Sequence, residues 1–151
     1  MTIGPKRSVS IYLIYAQKDE ALKQEFDDYL VMLQQTRLIS GWVERQIRPG
    51  TDWSQAIDSR LLAANLVVLF VSPGLLASGY CAGVELSKAF EMRKAGKALI
   101  IPVLLHYVDL RGNLLESLQC LPAKALPVSS WAERKEAWWS VYQGIRQVVE
   151  Y

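Results

Sequence analysis

Strand-like and helix-like segments alternate five times along the chain, joined by short links, and the third strand, Leu66–Val71, is apolar at every position. A strand with no polar face has to be covered on both sides, as in a parallel sheet held between two helical layers. Alternating strands and helices supply those layers, because each helix carries the chain back across the sheet. Five strands suit the order 2-1-3-4-5, a flavodoxin-like three-layer α/β sandwich with a parallel sheet and helices on both faces. The switch point of that order lies between the first and third strands. The loops Ala16–Lys18 and Ser72–Gly79 therefore border the expected ligand crevice.

Local signals place the elements. Val9–Tyr15 reads as the first strand. A helix is expected from Asp19, an N-cap residue, to Gln35, with Leu22, Phe26, Tyr29, Leu30 and Leu33 as its buried stripe. Leu38–Val43 reads as the second strand, followed by a polar loop, Glu44–Thr51, containing the turn dipeptide Pro49-Gly50. Asp52 with Gln55 opens the next helix, whose inward residues are Trp53, Ile57 and Leu61. After the third strand a helix runs from about Tyr80 to Arg93, with Gly96 just past its end. Ala98–Leu105 is the fourth strand, where Pro102 implies a bulge or an unpaired amide. A short helix near Asn113–Gln119 leads to a fifth strand, Ala125–Val128. Ser130 and Glu133 then form the capping box of a last helix with the stripe Trp138, Val141, Ile145 and Val148 or Val149.

The 151 residues suit one domain, its core spanning about residues 8–150. Net charge is +2 and well mixed. Arg45 with Arg48, Lys94 with Lys97, and Arg134 with Lys135 are short scattered groups that read as solvated surface, so no basic stripe marks a nucleic-acid binder. Two cysteines, Cys81 and Cys120, and one histidine make neither a disulfide framework nor a zinc cluster. The start lacks the apolar stretch of a signal peptide, and the longest apolar run, Ala98–Leu105, is too short to span a bilayer. The expectation is a soluble, cytoplasmic chain with reduced thiols, no metal and no membrane contact. Its high apolar content leaves some surface for an interface.

Few residues look like chemistry. The chain has no Gly-x-Gly-x-x-Gly, no phosphate loop and no Gly-x-Ser-x-Gly elbow, which argues against dinucleotide folds, P-loop ATPases and α/β-hydrolases. A response-regulator receiver shares the topology, but it needs an aspartate ending the third strand, and here that strand ends Phe70-Val71-Ser72. The only histidine, His106, has no obvious partner in the sequence. Glu85 stands out. It lies four residues after Cys81 in Ser78-Gly79-Tyr80-Cys81-Ala82-Gly83-Val84-Glu85, at the opening of a helix beside the switch point. Its neighbours four residues away, Cys81 and Ala89, are small enough to leave room for a ligand. The plainer alternative is an exposed glutamate paired with Lys88 three residues on.

Several segments together resemble one family. They are Ile11-Tyr12-Leu13-Ile14-Tyr15-Ala16 with Asp19, then Gly41-Trp42-Val43-Glu44-Arg45-Gln46-Ile47-Arg48-Pro49-Gly50-Thr51-Asp52-Trp53, and Val71-Ser72-Pro73 running on to Ser78, Tyr80, Cys81 and Glu85. Ile101-Pro102-Val103, Leu118-Gln119-Cys120-Leu121-Pro122, Pro127-Val128, Trp131 and residues 141–149 continue the pattern. In this order they resemble the TIR (Toll/interleukin-1 receptor-like) domain of the bacterial type, over nearly the whole chain. The resemblance implies a flavodoxin-like fold and makes Glu44–Thr51 the counterpart of the family's BB loop, a mobile segment that often carries assembly contacts. It also makes Pro102 a usual guest in its strand. One departure is Ile14, where family members commonly carry serine; another is the one-residue longer spacing from Cys81 to Glu85 than in animal receptors, which suits the bacterial group.

The resemblance implies two activities. Some members cleave NAD+ to nicotinamide and ADP-ribose or a cyclic product, with a glutamate at the position of Glu85; bacterial members of this kind deplete NAD+ in anti-phage defence. They assemble as homo-oligomers or filaments through TIR–TIR contacts, under a fused or associated sensor. The chain's stop at Tyr151, straight after the last helix, fits a domain cut from such a longer protein. NAD+ is then a substrate and no cofactor is expected. Trp42 and Trp53 offer faces for stacking on nicotinamide or adenine, and Arg45 could meet the diphosphate or a neighbouring subunit. Tyr15, Ala16, Asp19, Tyr80 and Cys81 complete the expected binding residues. Other members are non-enzymatic TIR–TIR adaptors in signalling, and in such a module Glu85 would sit in surface salt bridges with no hollow beside it.

Overall fold

A computed structural model of the chain describes residues 9–49 and 56–150. Four strands, β1 (Val9–Ala16), β2 (Ile39–Ile47), β3 (Leu66–Val71) and β4 (Leu99–Leu104), pair in parallel in the order β2-β1-β3-β4. Helices α1 (Glu20–Gln24), α2 (Asp27–Gln35), α3 (Ser59–Leu62), α4 (Pro73–Ala77), α5 (Val84–Lys94) and α6 (Arg134–Val149) connect and cover them. This is the flavodoxin-like α/β architecture expected from the alternation.

Side chains alternate across each strand, so β1 feeds two separate cores. Ile11, Leu13 and Tyr15 pack with Phe26, Leu30 and Leu33 and with Trp138, Val141 and Ile145, on the face covered by α2 and α6. Tyr12, Ile14 and Ala16 pack with Leu61, Leu75, Leu86, Ala89 and Met92, on the face covered by α3, α4 and α5. All six residues of β3 are buried, as an apolar central strand requires. On the first face Phe26 meets the rings of Tyr29, Phe70 and Trp138, with centroids 5.6, 6.1 and 5.2 Å away.

Several expectations are revised. The helix expected over 19–35 is two helices, broken at Glu25 and Phe26, whose amides bond to Leu22 and Lys23 three residues back. The break lets Phe26 enter the core while the Glu25 carboxylate reaches α6, at 2.8 Å from Arg134 Nε and 3.0 Å from Trp138 Nε1. β2 runs to Ile47, so Glu44, Arg45 and Gln46 belong to a strand and not to a loop. Polar side chains are tolerated there because β2 is an edge of the sheet. Residues 56–58 are not helical, and α3 starts only after Asp58, whose side chain caps it through the Arg60 amide. Ile57 is exposed, Leu61 is buried, and Asp52, Trp53 and Gln55 lie outside the described residues. The last helix is preceded by Glu133 with no side-chain cap, and Ser130 falls in a 3-10 turn.

The strand expected over 125–128 is not formed among the described residues. Ala125 stands at φ 55°, a left-handed conformation that a strand does not admit. Its place beside β4 is held by a single bridge, in which Leu121 N donates to Pro102 O at 2.9 Å and Leu104 N donates to Leu121 O at 2.8 Å. Pro102 thus turns its amide-less nitrogen to this outer edge, and the ladder to β3 loses nothing. Gly96 behaves as read from the sequence. At φ 73° it ends α5, its amide bonded to Arg93 O and the Lys97 amide to Met92 O. No helix among the described residues is long and apolar enough to cross a membrane.

Candidate active site around Glu85

The third strand delivers the chain to Ser72, which caps α4 by accepting the Leu75 amide. Gly79 then turns the chain at φ 79°, a left-handed step that suits glycine, into the 3-10 turn Tyr80–Ala82. Gly83 precedes α5, and Glu85 stands in its first turn, where the helix dipole favours an acid.

Glu85 is 1% exposed. Among the described residues, four donors meet its carboxylate. The hydroxyl of Tyr12 on β1 donates to Oε1 at 2.8 Å, and that of Tyr80 donates to the same oxygen at 2.5 Å. Arg45 Nε on β2 also donates to Oε1, at 3.3 Å. The backbone N–H of Asp58 donates to Oε2 at 2.9 Å. The pairing with Lys88 does not form; Lys88 lies 3.2 Å from Glu91 instead. Nor do Cys81 and Ala89 open a space beside the acid, since both are buried in the apolar core. Burial and the adjacent Glu85 carboxylate push the hydroxyls of Tyr12 and Tyr80 well above the ordinary tyrosine range, so both stay protonated donors. Burial pushes the Cys81 thiol up to about 11. Hydrogen bonds from Arg60 hold the Asp58 carboxyl down at about 2.

The residues expected to share one pocket divide between the two faces of the sheet. Glu85, Arg45, Tyr80, Cys81 and Ala16 lie on the α5 face. Tyr15 and Trp42 lie on the opposite face, in the core beneath α2 and α6. There they surround a different acid, Glu44. Tyr15 donates to Glu44 Oε1 at 3.2 Å, Trp42 Nε1 donates to Oε2 at 3.2 Å, and Lys23 Nζ lies 2.7 Å from Oε2. Lys23 is 3% exposed, pairs also with Asp27 at 2.8 Å, and sits 5.3 Å over the Tyr15 ring. Burial opposes the charge on Lys23, but the two carboxylates outweigh it and its ammonium is held above the ordinary range.

Asp19 lies at the carboxyl end of the sheet, buried, and accepts from the Ser72 hydroxyl. His106 does have partners. Its Nδ1 is 2.9 Å from Ser129 Oγ, and its Nε2 is 3.9 Å from Asp19. These come from distant parts of the chain, which sequence spacing does not reveal. Trp53 lies outside the described residues.

Two participants were not singled out in the sequence. Tyr12 carried a signal, a hydroxyl in the middle of an apolar strand two positions from Ile14 on the same face. Asp58 carried none, because it contributes a backbone amide. Among the described residues no group of three or more His, Cys, Asp or Glu side chains could hold a metal ion.

A family model described as TIR domain matches residues 11–137. The chain is 30% identical over 138 residues to the uncharacterized protein y4lF of Sinorhizobium fredii (strain NBRC 101917 / NGR234), covering 91% of this chain and 43% of that protein. It thus spans less than half the length of that relative. No solved structure matches. With the parallel sheet in the order 2-1-3-4 and a family match over most of its length, the chain belongs to the TIR domain family.

Proposed function

We propose that this TIR domain is an NAD+ nucleosidase that works in an assembled state, in bacterial anti-phage defence, with Glu85 as its catalytic carboxylate. The observation that carries the reading is the environment of Glu85. Burying a carboxylate costs several kcal/mol, roughly, unless donors replace its water. Among the described residues four donors do so, three of them uncharged. Hydrogen bonds from neutral groups hold the carboxylate in place without cancelling its charge. A fixed, dry negative charge near a sheet's switch point is suited to a cation that forms during reaction.

Cleavage of NAD+ makes such a cation. Nicotinamide is attached through a cationic ring nitrogen, so it leaves with the bonding electron pair as a neutral molecule and needs no proton. The ribose carbon is left as an oxocarbenium. Glu85 orients the ribose hydroxyls and offsets the developing charge; water then adds to the carbon and loses a proton, giving ADP-ribose. Attack by the adenine in place of water gives the cyclic product. No second carboxylate is needed, in contrast to ordinary glycosidases. Arg45 lies on the same face, 22% exposed and bonded to Glu85, and in this reading its guanidinium meets the diphosphate.

The second reading is a non-enzymatic TIR–TIR module; Cys81 and Ala89, packed into the core without opening a space beside Glu85, favour it, whereas the burial of Glu85 away from surface salt bridges does not. The experiment is nicotinamide release from NAD+, followed by chromatography on an assembled sample. Glu85→Gln keeps the size and removes the charge, and turnover should fall on the order of 100-fold or more. Full activity in Glu85→Gln excludes the mechanism. No activity in the assembled parent favours the adaptor, and Ile14, fully buried beneath α5, is the first departure to revert.

A further inference from the structure

Helices α2 and α6 cover the same core, and the seam between them is aromatic. The Tyr29 ring of α2 lies 5.8 Å from the Tyr142 ring of α6, and Trp139 stacks on Tyr142 at 5.1 Å. Tyr142 is buried and belongs to the core, but the stack does not stop there. It continues outward to Trp139, which is 45% exposed, and Met32 of α2 is 37% exposed. Met32 follows Tyr29 by three residues and so stands on the same side of its helix. Single apolar side chains on a surface need no explanation; an indole carried out of the core on a stacked ring, beside an exposed thioether, is a patch.

The charges around the patch are sorted by helix. On α6, Lys135 precedes Trp139 by four residues and shares its stripe; on α2, Asp28 precedes Met32 by four and shares that one. Both are exposed, and neither is held by an ion pair among the described residues. Arg146, further along the α6 stripe, is already matched by Glu150 at 2.5 Å, and Asp27 turns to Lys23. The patch therefore has an acid on one rim and a base on the other.

We infer that this face docks a second copy of the chain, in a twofold contact that lays α2 of each copy over α6 of the other. Charge selects the arrangement. With α2 over α2, Asp28 would face its own twin, and Lys135 would do the same on α6. With α2 over α6, Asp28 of each copy meets Lys135 of the other. A twofold contact repeats every pairing, so one complementary pair on the chain acts twice. The same arrangement brings Trp139 of each copy to Met32 of the other, and a thioether packs well against an aromatic ring. Tryptophan is among the side chains that most often anchor such contacts. The face lies across the sheet from Glu85, so the inference goes beyond the NAD+ reading and does not rest on it.

Sedimentation of the chain is measured over about a hundredfold range of concentration, because a subunit contact forms by mass action. The parent should pass from one copy to two. Trp139→Ser should weaken that association roughly 10-fold or more, as the loss of a central aromatic anchor does. Asp28→Lys and Lys135→Glu each set like charges against each other in both halves of the contact, and each variant alone should remain a single copy. Mixed in equal amounts, the two should associate again, since both halves then join opposite charges. Unfolding midpoints are recorded alongside; if Trp139→Ser does not fold, the two charge variants, both at exposed positions, still decide. A parent that stays a single copy at the highest concentration overturns the inference. So does an association that survives both charge reversals, which would put the contact elsewhere, and so do reversed variants that stay apart when mixed, which would break the pairing of α2 with α6. Nicotinamide release plays no part in the readout, so the NAD+ reading and this inference fail separately.

Discussion

The two faces of the sheet each hold a glutamate, and the company each keeps differs. Glu44, on β2, is bound to a buried lysine, a tyrosine hydroxyl and an indole N–H. Its charge is answered at 2.7 Å by Lys23, and Lys23 is answered again by Asp27. Glu85, on α5, is bound to two tyrosine hydroxyls, a backbone amide and one arginine at 3.3 Å. Both acids are satisfied as hydrogen-bond acceptors, but Glu44 is matched in charge at close range and Glu85 only loosely. A matched ion pair in a core stabilises or specifies packing. A carboxylate held mainly by neutral donors keeps its field, and that field is what a forming cation senses. Under the proposed function, the contrast puts structure on one face and chemistry on the other.

The widest separation should appear in turnover. Glu85→Gln should cost on the order of 100-fold in NAD+ cleavage, while Glu44→Gln should change it by less than about threefold once equal amounts of folded, assembled protein are compared. Equal losses in both variants would erase the distinction between the faces.

The next effect is on stability, and it belongs to the Glu44 face. Lys23→Met leaves two carboxylates without their cation. Since Glu44 and Asp27 are each partly exposed, the loss in denaturant unfolding should be about 2 kcal/mol, below the usual cost of breaking a fully buried pair. The same pair sets a pH dependence. Burial raises the Glu44 carboxyl, but the bonds from Lys23 and Trp42 outweigh it, so its folded value lies below the ordinary 4.5. A depressed acid contributes stability that is fully present above pH 4.5 and is lost as pH falls below it. Lys23→Met should therefore flatten the acid limb of the stability profile. An unaltered acid limb would mean that other depressed acids, Glu25 held by Arg134 and Trp138 and Asp58 held by Arg60, carry it.

Trp42 tests whether the faces are as separate as their geometry. From the sequence it was expected to stack on a base of NAD+, yet it packs into the core under α2 and bonds Glu44. Trp42→Ala should lower stability by about 1–2 kcal/mol, less than a fully buried tryptophan, and leave KM within about twofold. A clear rise in KM would return Trp42 to the binding site, reached from a neighbouring subunit.

The architecture was legible because its signals are local and redundant. Leu66–Val71 could only be a covered central strand, and it is. Signals failed where tertiary contacts overrule composition. Hydropathy stops at Val43, but β2 continues to Ile47 because β1 offers partners along its whole length. The helix over 19–35 keeps its apolar stripe through Glu25, and only the distant Arg134 and Trp138 explain the break. In the site, Glu85 and its place at the start of a helix could be read from spacing. Which face a neighbour occupies could not, since Tyr12 and Tyr15 differ by three positions on one strand and so point to opposite cores. Tyr15 was therefore grouped with an acid it does not touch, and Tyr12, which touches it, was passed over.

The smallest expected effect comes from Lys88, and it guards the assignment of Glu85's partners. In the sequence Lys88 stands three residues after Glu85, a spacing that suits a helical ion pair. In the structure its ammonium turns the other way along α5 to Glu91, at 3.2 Å, and the Glu91 side chain is 72% exposed. An exposed pair of this kind contributes about 0–0.5 kcal/mol, since water and salt screen both charges and two flexible chains must be ordered. Lys88→Ala should therefore shift the unfolding free energy by less than about 0.5 kcal/mol and turnover by less than about twofold. The measurement is sharpest at low ionic strength, where any direct field from Lys88 on Glu85 would be least screened. A large fall in turnover there would mean that the ammonium reaches the carboxylate in the working protein. Glu85 would then be charge-matched like Glu44, and the contrast between the faces would lose its physical basis.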